Sequence, residues 1–231
     1  VSFPITSSDT TEGTVSTSTL SYSTSNWNTA QTVTVYGVDD TLSDDNQAFS
    51  VTLGSVTSSD ANYAGKNPDD VRVTNVDNET ASITVSALSG NTTEMGGTAT
   101  FTVVLDSQPT SDVSIAVSSS DTSEATISPS SLTFDSSNYS TLQTVTVTGV
   151  DDFYDDDNVS YTITVDPSSS IASYNTMTSS TVTGSNIDND TAAITVGARC
   201  GNTSEFGTTA TINVTLATIP TANVSIVVTD N

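Results

Sequence analysis

The sequence predicts an all-β fold made of tandem seven-stranded, immunoglobulin-like β-sandwich repeats. Three features predict it: segments in which Val and Thr alternate, an internal repeat of about 111 residues, and Gly, Pro, Asn and Asp between the apolar segments. In TVTVYGV (32–38) and TVTVTGV (144–150) the alternation places valine on one face and threonine on the other. This period of two is typical of a half-buried strand.

The repeat appears when the chain is aligned with itself. Residues 7–40 lie over residues 119–152 at an offset of 112, and 21 of the 34 aligned positions are identical. The segment that follows, from residue 75, aligns at an offset of 111. The chain therefore divides into the later two-thirds of a first repeat (1–79), a complete repeat (80–190) and the opening third of a following repeat (191–231).

Seven strands are predicted within the complete repeat, each bounded by turn-forming residues. They are A (81–87), B (97–105), C (113–118), D (131–134), E (143–149), F (159–165) and G (178–185). Seven short strands in about 110 residues favour a sandwich of two sheets. The predicted core consists of Ile83, Val85, Phe101, Val103, Leu105, Ile115, Val117, Leu132, Phe134, Val145, Val147, Tyr161 and Ile163.

The charge of the chain limits its partners. It has 27 acidic residues, 3 basic residues and no histidine, for a net charge of −24. Nucleic acid is excluded as a partner because the chain has no basic patch to hold a phosphate backbone. An anionic membrane surface is disfavoured for the same reason, and the sequence has no apolar run long enough for direct membrane insertion. Cations are the natural small partners of such a chain.

Acidic residues recur in loops that a two-sheet sandwich brings to one end. In the complete repeat they are Glu94, Asp121, Asp151, Asp152, Asp156, Asp188 and Asp190, and in the first repeat they are Asp9, Asp39, Asp40, Asp44, Asp77 and Glu79. Carboxylates gathered this closely repel one another unless a cation neutralises them. Calcium, which accepts six to eight oxygen ligands, is the expected ion, whereas zinc and copper lack their usual His and Cys ligands. The alternative is that these acids are solvated turn residues.

The acidic loops resemble those of the Calx-β domain family. The shared pattern is an acidic pair, an acid four residues later and an aromatic residue nine residues after the pair's second member. It reads Asp39-Asp40, Asp44, Phe49 in one repeat and Asp151-Asp152, Asp156, Tyr161 in the next. A Glu-x-x-Gly element (94–97) and acidic linkers (77–79 and 188–190) extend the similarity. The resemblance implies a seven-stranded sandwich with calcium at one end, often within large extracellular surface or adhesion proteins.

The sequence also carries candidate glycosylation sites. The Asn-x-Ser/Thr sequons begin at Asn78, Asn91, Asn138, Asn158, Asn189, Asn202, Asn213 and Asn223. Most are expected on loops or on outward strand positions, where a glycan can be carried if the protein is secreted through a glycosylating pathway. We therefore expect an extracellular or cell-surface glycoprotein.

Catalysis is not expected. No His or Lys base is positioned to activate a serine, and the acidic residues recur in two repeats beside a domain junction. The single cysteine, Cys200, aligns with Ser89, so the repeat does not require a thiol there. An intermolecular disulfide at Cys200 is the alternative reading.

The two ends of the sequence fall at the same phase of the repeat, because Val1 aligns with Val113 and with Val224. Residues 191–231 correspond to strands A, B and the start of C, which precede residues 1–79 in the repeat. We therefore expect head-to-tail self-association into a filament, either covalently in a longer polypeptide or by strand exchange.

The competing function is an adhesin or carbohydrate-binding module that grips its ligand with its loops. Trp27 and its equivalent Tyr139 are the candidate aromatic platform, although packing at one end of the sandwich is the expected role for both.

Overall fold

The computed structural model describes residues 1–229, and their regular secondary structure is almost entirely β-strand, which confirms the predicted all-β class. The chain forms two compact units. Unit 1 comprises Val1–Ser82, Leu105–Ser111 and Asp135–Ser140. Unit 2 comprises Ile83–Val104, Asp112–Phe134 and the residues from Thr141 onward. No helix in the described residues has the length and apolar character needed to cross a bilayer.

The strands of residues 1–79 are short and antiparallel. They are β1 (Ser2–Ser7), β2 (Gly13–Val15), β3 (Thr19–Ser21), β4 (Val35–Gly37), β5 (Gln47–Leu53) and β6 (Val71–Asn75). One sheet has the order β3-β1-β5-β6, and β2 pairs with β4 in a separate two-stranded sheet. The buried core of this part is small and is formed by Ile5, Phe49 and Val51.

Nine strands and one short helix form the complete repeat. They are β7 (Ile83–Val85), β8 (Thr92–Thr93), β9 (Thr98–Leu105), β10 (Val113–Ser119), β11 (Ala125–Ser128), β12 (Ser131–Phe134), β13 (Gln143–Gly149), β14 (Val159–Ser169), α1 (Ala172–Asn175) and β15 (Ser180–Ile187). The sheet orders are β12-β10-β14-β15-β8 and β11-β13-β9-β7. The pairings of β10 with β12 and β14, of β13 with β11 and β9, and of β14 with β15 are antiparallel, and the pairing of β8 with β15 is parallel.

The sequence predicted seven of these nine strands with boundaries close to those observed. It missed β8 and β11, which have two and four residues and are too short to show an alternating pattern. After the complete repeat, β16 (Ile194–Val196) pairs with β17 (Val214–Leu216) in a two-stranded sheet.

The core of the complete repeat follows the alternation in the sequence. Along β10, Val113, Ile115 and Val117 are buried and the residues between them are exposed. Eleven of the thirteen predicted core residues are buried. Ile83 and Val85 are only half-buried because β7 is the outer strand of its sheet.

The packing role predicted for Trp27 is wrong. Its side chain is 71 % exposed. Its equivalent Tyr139 is half-buried, and the carbonyl of Tyr139 accepts a hydrogen bond from the backbone N–H of Leu105 at 3.0 Å.

Truncating a core residue of β10 tests this account of the fold. Ile115→Ala is expected to lower the free energy of unfolding by about 2–5 kcal/mol, because it removes buried methyl groups and leaves a cavity. Chemical denaturation monitored by circular dichroism measures the loss. Ser114→Ala, on the exposed face of the same strand, is the matched control and is expected to be nearly neutral. Equal losses in the two variants would contradict the observed facing of β10.

Candidate metal centre

Acidic side chains from four segments of the complete repeat meet at one end of its sheets. The segments are the turn after β8, the turn before β11, the loop between β13 and β14, and the chain that leaves β15. Each carboxylate offers an oxygen within 4.8 Å of the others in its group. The Glu94 trio consists of Glu94, Asp188 and Asp190, and the Glu124 trio consists of Glu124, Asp152 and Asp156.

The spacing within each trio suits a calcium ion. Calcium–oxygen distances are about 2.4 Å, so two ligands on opposite sides of one ion lie about 4.8 Å apart. Glu94 and Glu124 are almost fully buried, with 2 % and 5 % of their surface exposed. Burying a carboxylate is unfavourable unless a cation or hydrogen-bond donors compensate it. Both trios can therefore hold a hard divalent cation.

Asn189 and Asp188 organise the Glu94 trio. The backbone N–H and the side-chain amide of Asn189 donate to Oε2 of Glu94 at 3.0 and 3.3 Å. The same amide donates to Oδ1 of Asp151 at 3.1 Å. Asp188 accepts hydrogen bonds from the backbone N–H groups of Asp190 and Asp157, at 2.7 and 3.0 Å. These neutral donors orient the carboxylates but supply no positive charge.

Asn186 on β15 holds the Glu124 trio in place. Its amide nitrogen donates to Oε2 of Glu124 at 3.2 Å and to the carbonyl of Val150 at 2.9 Å. A side chain at Gly149 would collide with the backbone carbonyl of Thr93 and with Oδ1 of Asn186. The glycine that ends β13 therefore makes room for the asparagine that supports the buried carboxylate.

Unit 1 repeats this arrangement residue for residue. The amide of Asn75 donates to Oε2 of Glu12 at 3.2 Å and to the carbonyl of Val38 at 2.9 Å. A Cβ at Gly37 would lie 2.6 Å from Asn75 Oδ1. A small pocket beside them is lined by Glu12, Val38, Asp40, Asp44, Asp45, Asn75, Val76, Asp77, Asn78 and Glu79. The same acidic end is thus built in both repeats.

Burial and mutual repulsion raise the pKa of several of these carboxyl groups. Burial raises the pKa of Glu94, and the carboxylates of Asp188 and Asp152 raise it further against the opposing hydrogen bond from Asn189. Burial likewise raises the pKa of Glu124, with repulsion from neighbouring carboxylates adding to the effect.

The remaining shifts follow the same causes. Burial, and then carboxylates nearby, raise the pKa of Asp156, Asp190 and Asp44. Burial also raises the pKa of Glu79, and the neighbouring carboxyl of Asp77 adds to the effect. The pKa of Asp77 itself is lowered, chiefly because it accepts the backbone N–H of Glu79 at 2.8 Å.

Most of the predicted ligand residues lie at the acidic end of their repeat. Five of the seven acids predicted in the complete repeat belong to a trio: Glu94, Asp152, Asp156, Asp188 and Asp190. Asp151 lies beside them, bonded to Asn189. In unit 1, Asp40, Asp44, Asp77 and Glu79 line the small pocket, and Asp39 is near enough to Glu79 to raise its pKa.

Asp121 and its equivalent Asp9 belong to neither trio. Each carboxylate is occupied within its own turn, where Asp121 accepts the backbone N–H of Ser123 at 2.9 Å and Asp9 accepts that of Thr11 at 3.0 Å. Hydrogen bonds from the Ser123 side chain and backbone lower the pKa of Asp121, and the corresponding Thr11 bonds lower that of Asp9.

Sequence reasoning missed Glu124 and its equivalent Glu12. The available signal was that both repeats carry a glutamate three residues after the turn aspartate, immediately before a strand. Each glutamate accepts a hydrogen bond from the asparagine of the last strand, which lies more than 60 residues away in the sequence.

The candidate glycosylation sites lie at the surface. Seven of the eight sequon asparagines are exposed, and Asn138 is half-buried, with Oδ1 accepting the backbone N–H of Asp135 at 2.7 Å. Asn158 and Asn189 stand at the acidic end, because Asn158 Oδ1 accepts the backbone N–H of Asp188 at 3.1 Å.

One backbone hydrogen bond recurs between the acidic loops and the loops that follow strand B. Within unit 1 the N–H of Gln108 donates to the carbonyl of Thr41 at 2.8 Å. Within unit 2 the N–H of Ile219 donates to the carbonyl of Phe153, also at 2.8 Å. The alignment places Thr41 over Phe153 and Gln108 over Ile219. The same bond therefore joins residues of successive sequence repeats twice.

Comparison with known proteins gives a distant likeness in structure. No protein-family model matches the sequence, and no curated protein matches it. Among solved structures, domains 1–6 of the surface layer protein SbsC align with 93 % of this chain at 17 % identity and a TM-score of 0.38. The chain spans 29 % of the length of that structure.

The raised carboxyl pKa values predict how stability depends on pH without metal. A carboxyl group whose pKa is higher in the folded than in the unfolded chain destabilises the fold as the pH rises above its unfolded value of about 4.3, and the penalty is complete once the pH exceeds the folded pKa. In chelator, Glu124→Gln is therefore expected to melt a few degrees above the wild type at pH 7, because the amide removes a buried charge.

Thermal melts between pH 5 and pH 8 measure this difference. The gap between Glu124→Gln and wild type should narrow as the pH falls, whereas Asp112→Asn, outside both trios, should follow the wild type. A Glu124→Gln variant as sensitive to pH as the wild type would contradict the assignment.

Proposed function

We propose that this chain is an extracellular structural protein. Its immunoglobulin-like β-sandwich repeats, of the Calx-β type, join head to tail into a fibre or a long surface stalk. Calcium binds at the acidic end of each repeat and stiffens the junction with the next. The protein has no catalytic role, and its sequons carry glycans on the outer surface.

The recurrence of the acidic end carries this proposal. Asn75 with Glu12 and Asn186 with Glu124 form the same hydrogen-bonded pair in successive repeats, half-buried in the first and buried in the second, each beside the segment that leads into the next repeat. A catalytic site needs no copy in every repeat, whereas a junction does. A backbone hydrogen bond joins the loop after strand B to the acidic loop in both units. This recurrence supports a junction of constant geometry.

Calcium suits this position for a physical reason. The carboxylates of a trio come from loops that are distant in sequence and from the exit of the last strand, so one ion would tie these segments together. Without a cation the same carboxylates repel, and the raised pKa values of Glu94 and Glu124 reflect that cost.

The second candidate function is a carbohydrate-binding or adhesive module. The exposed Trp27 favours it, because this side chain lines a cavity of about 940 Å³ in unit 1 together with Phe3, Tyr22 and Tyr63. Aromatic faces of this kind can stack on sugar rings. The complete repeat argues against sugar binding as the role of these aromatic positions. Phe134 and Tyr174, the equivalents of Tyr22 and Tyr63, are fully buried there.

Electron microscopy of the native material tests the structural role. We expect extended filaments or stalks with a regular axial repeat, because the acidic end and the junction bond recur at each repeat. Addition of chelator is expected to make the filaments more curved without shortening their contour. Isolated compact particles in the native material would contradict the proposal.

Thermal denaturation with calcium and with chelator tests the metal. At a calcium concentration 100 times the dissociation constant, binding is expected to add about 2.7 kcal/mol to the free energy of unfolding and to raise the melting temperature by several degrees. Asp188→Asn should reduce this shift because it removes a ligand of the Glu94 trio. Asp112→Asn is the matched control and should retain it. An identical melting temperature with calcium and with chelator would rule out the calcium site.

A further inference from the structure

We propose that each acidic loop selects the repeat that follows it, through side chains that match the residue placed against them by that repeat. The acidic loop is residues 39–46 or the equivalent residues 151–158. The facing residue is Gln108 at the first junction and its equivalent Ile219 at the second. This selection rests on the proposed head-to-tail function and identifies the residues that decide which repeats are neighbours.

The two acidic loops differ at three consecutive positions. Their sequences are DDTLSDDN (39–46) and DDFYDDDN (151–158), so five of the eight aligned positions are identical. The identical positions include the acids that line the candidate metal centre. The differing positions are 41–43 in the first loop and 153–155 in the second. The part of the loop that serves its own repeat is therefore constant, and the variation lies beside it.

Gln108 contacts all three of the differing residues in the first loop. Its N–H donates to the carbonyl of Thr41 at 2.8 Å, and its carbonyl accepts the N–H of Ser43 at 3.2 Å. These two bonds pair Gln108 with Leu42 in a parallel bridge. The hydroxyl of Thr41 also donates to Oε1 of Gln108 at 2.9 Å. The backbone bonds suit any residue, whereas the side-chain bond requires a donor at 41 and an acceptor at 108.

An apolar pair replaces this polar pair at the second junction. Phe153 and Ile219 occupy the positions of Thr41 and Gln108. The backbone bond is kept, because the N–H of Ile219 donates to the carbonyl of Phe153 at 2.8 Å. Residues on the two sides of the junction, more than 60 positions apart in the sequence, have therefore changed polarity together.

The third differing position also serves the following repeat. Oδ2 of Asp155 accepts the N–H of Ala192 at 2.8 Å, in the segment that leads out of β15. Its equivalent Ser43 donates its own N–H to the carbonyl of Gln108. The positions at which the acidic loops vary are thus positions that hold the next repeat.

A mismatched neighbour would keep the backbone bond and lose the side-chain match. Threonine facing isoleucine leaves the hydroxyl without its acceptor, and phenylalanine facing glutamine leaves the amide without its donor. Repeats that are similar in sequence are prone to dock on the wrong neighbour during folding. Discrimination at this contact favours the correct order of repeats.

Amide hydrogen exchange of the whole chain, measured by NMR, tests the match at the first junction. The reporters are the N–H groups of residue 108 and of Ser43, which the junction bonds protect. Thr41→Phe and Gln108→Ile are each expected to speed this exchange about fivefold. The combined variant recreates the pair of the second junction and should return exchange to within about twofold of the wild type.

A matched control separates pairing from a general gain of apolar surface. Thr110 is an exposed residue of the same loop as Gln108. Thr110→Ile combined with Thr41→Phe should give no recovery of protection. The amides of β13 should exchange as in the wild type in every variant, which checks that the fold is kept.

The reverse replacement tests the second junction. Phe153→Thr and Ile219→Gln should each speed exchange of the N–H of residue 219. The combined variant should slow it again, because it allows the threonine–glutamine bond that the first junction makes.

The remaining outcomes overturn the selection. Additive effects in either pair of variants mean that the side chains are not matched, which leaves the head-to-tail function standing because the backbone bonds suit any residue. Equal recovery with Thr110→Ile means non-specific apolar contact. Unprotected amides at Gln108 and Ile219 in the wild type would remove the junction bonds themselves, and with them the constant junction on which the proposed function rests.

Discussion

Burial of one face of every sheet is the constraint on which the rest of this structure depends. Along β13 the valines are buried and the threonines between them are not, so one face of the strand must be covered. The complete repeat meets this requirement with two sheets that each present an apolar face. Residues 1–79 and 191–229 carry the same alternation, but in the structure they leave much of it exposed.

The acidic end follows from the same architecture. Successive strands run in opposite directions, so alternate loops return to one end and bring their carboxylates together. The chain has 3 basic residues for 27 acidic ones, and asparagine amides hold Glu12, Glu94 and Glu124 at the acidic ends. These amides orient an oxygen without neutralising it. The result is a set of oriented carboxylate oxygens whose negative charge the asparagine amides do not neutralise.

The sequence predicts the strands better than it predicts the site. Long alternating segments such as β10 and β13 are predicted from the sequence because the alternation shows which residues face the core. The buried position of Glu124 is not predicted from the sequence, because a glutamate beside a turn normally points to solvent. Its carboxylate accepts a hydrogen bond from Asn186, on a strand that is distant in the sequence. Asp121 shows the opposite error: it looks like a ligand in sequence, yet its carboxylate is used to close its own turn. A loop residue's role depends on which donors reach it, and the linear pattern does not record that.

The side-chain nitrogen of Asn189 is a hydrogen-bond donor at the acidic end and also the attachment atom of a candidate glycosylation site. Its side-chain amide has two hydrogens, and in this structure they are directed to Glu94 and to Asp151. An N-linked sugar replaces one of those hydrogens. A chain modified at Asn189 therefore keeps at most one of the two bonds, so glycan attachment and full ordering of the Glu94 trio exclude each other at this position. Glycosylation of Asn189 would therefore weaken the hydrogen bonding that orders the Glu94 trio.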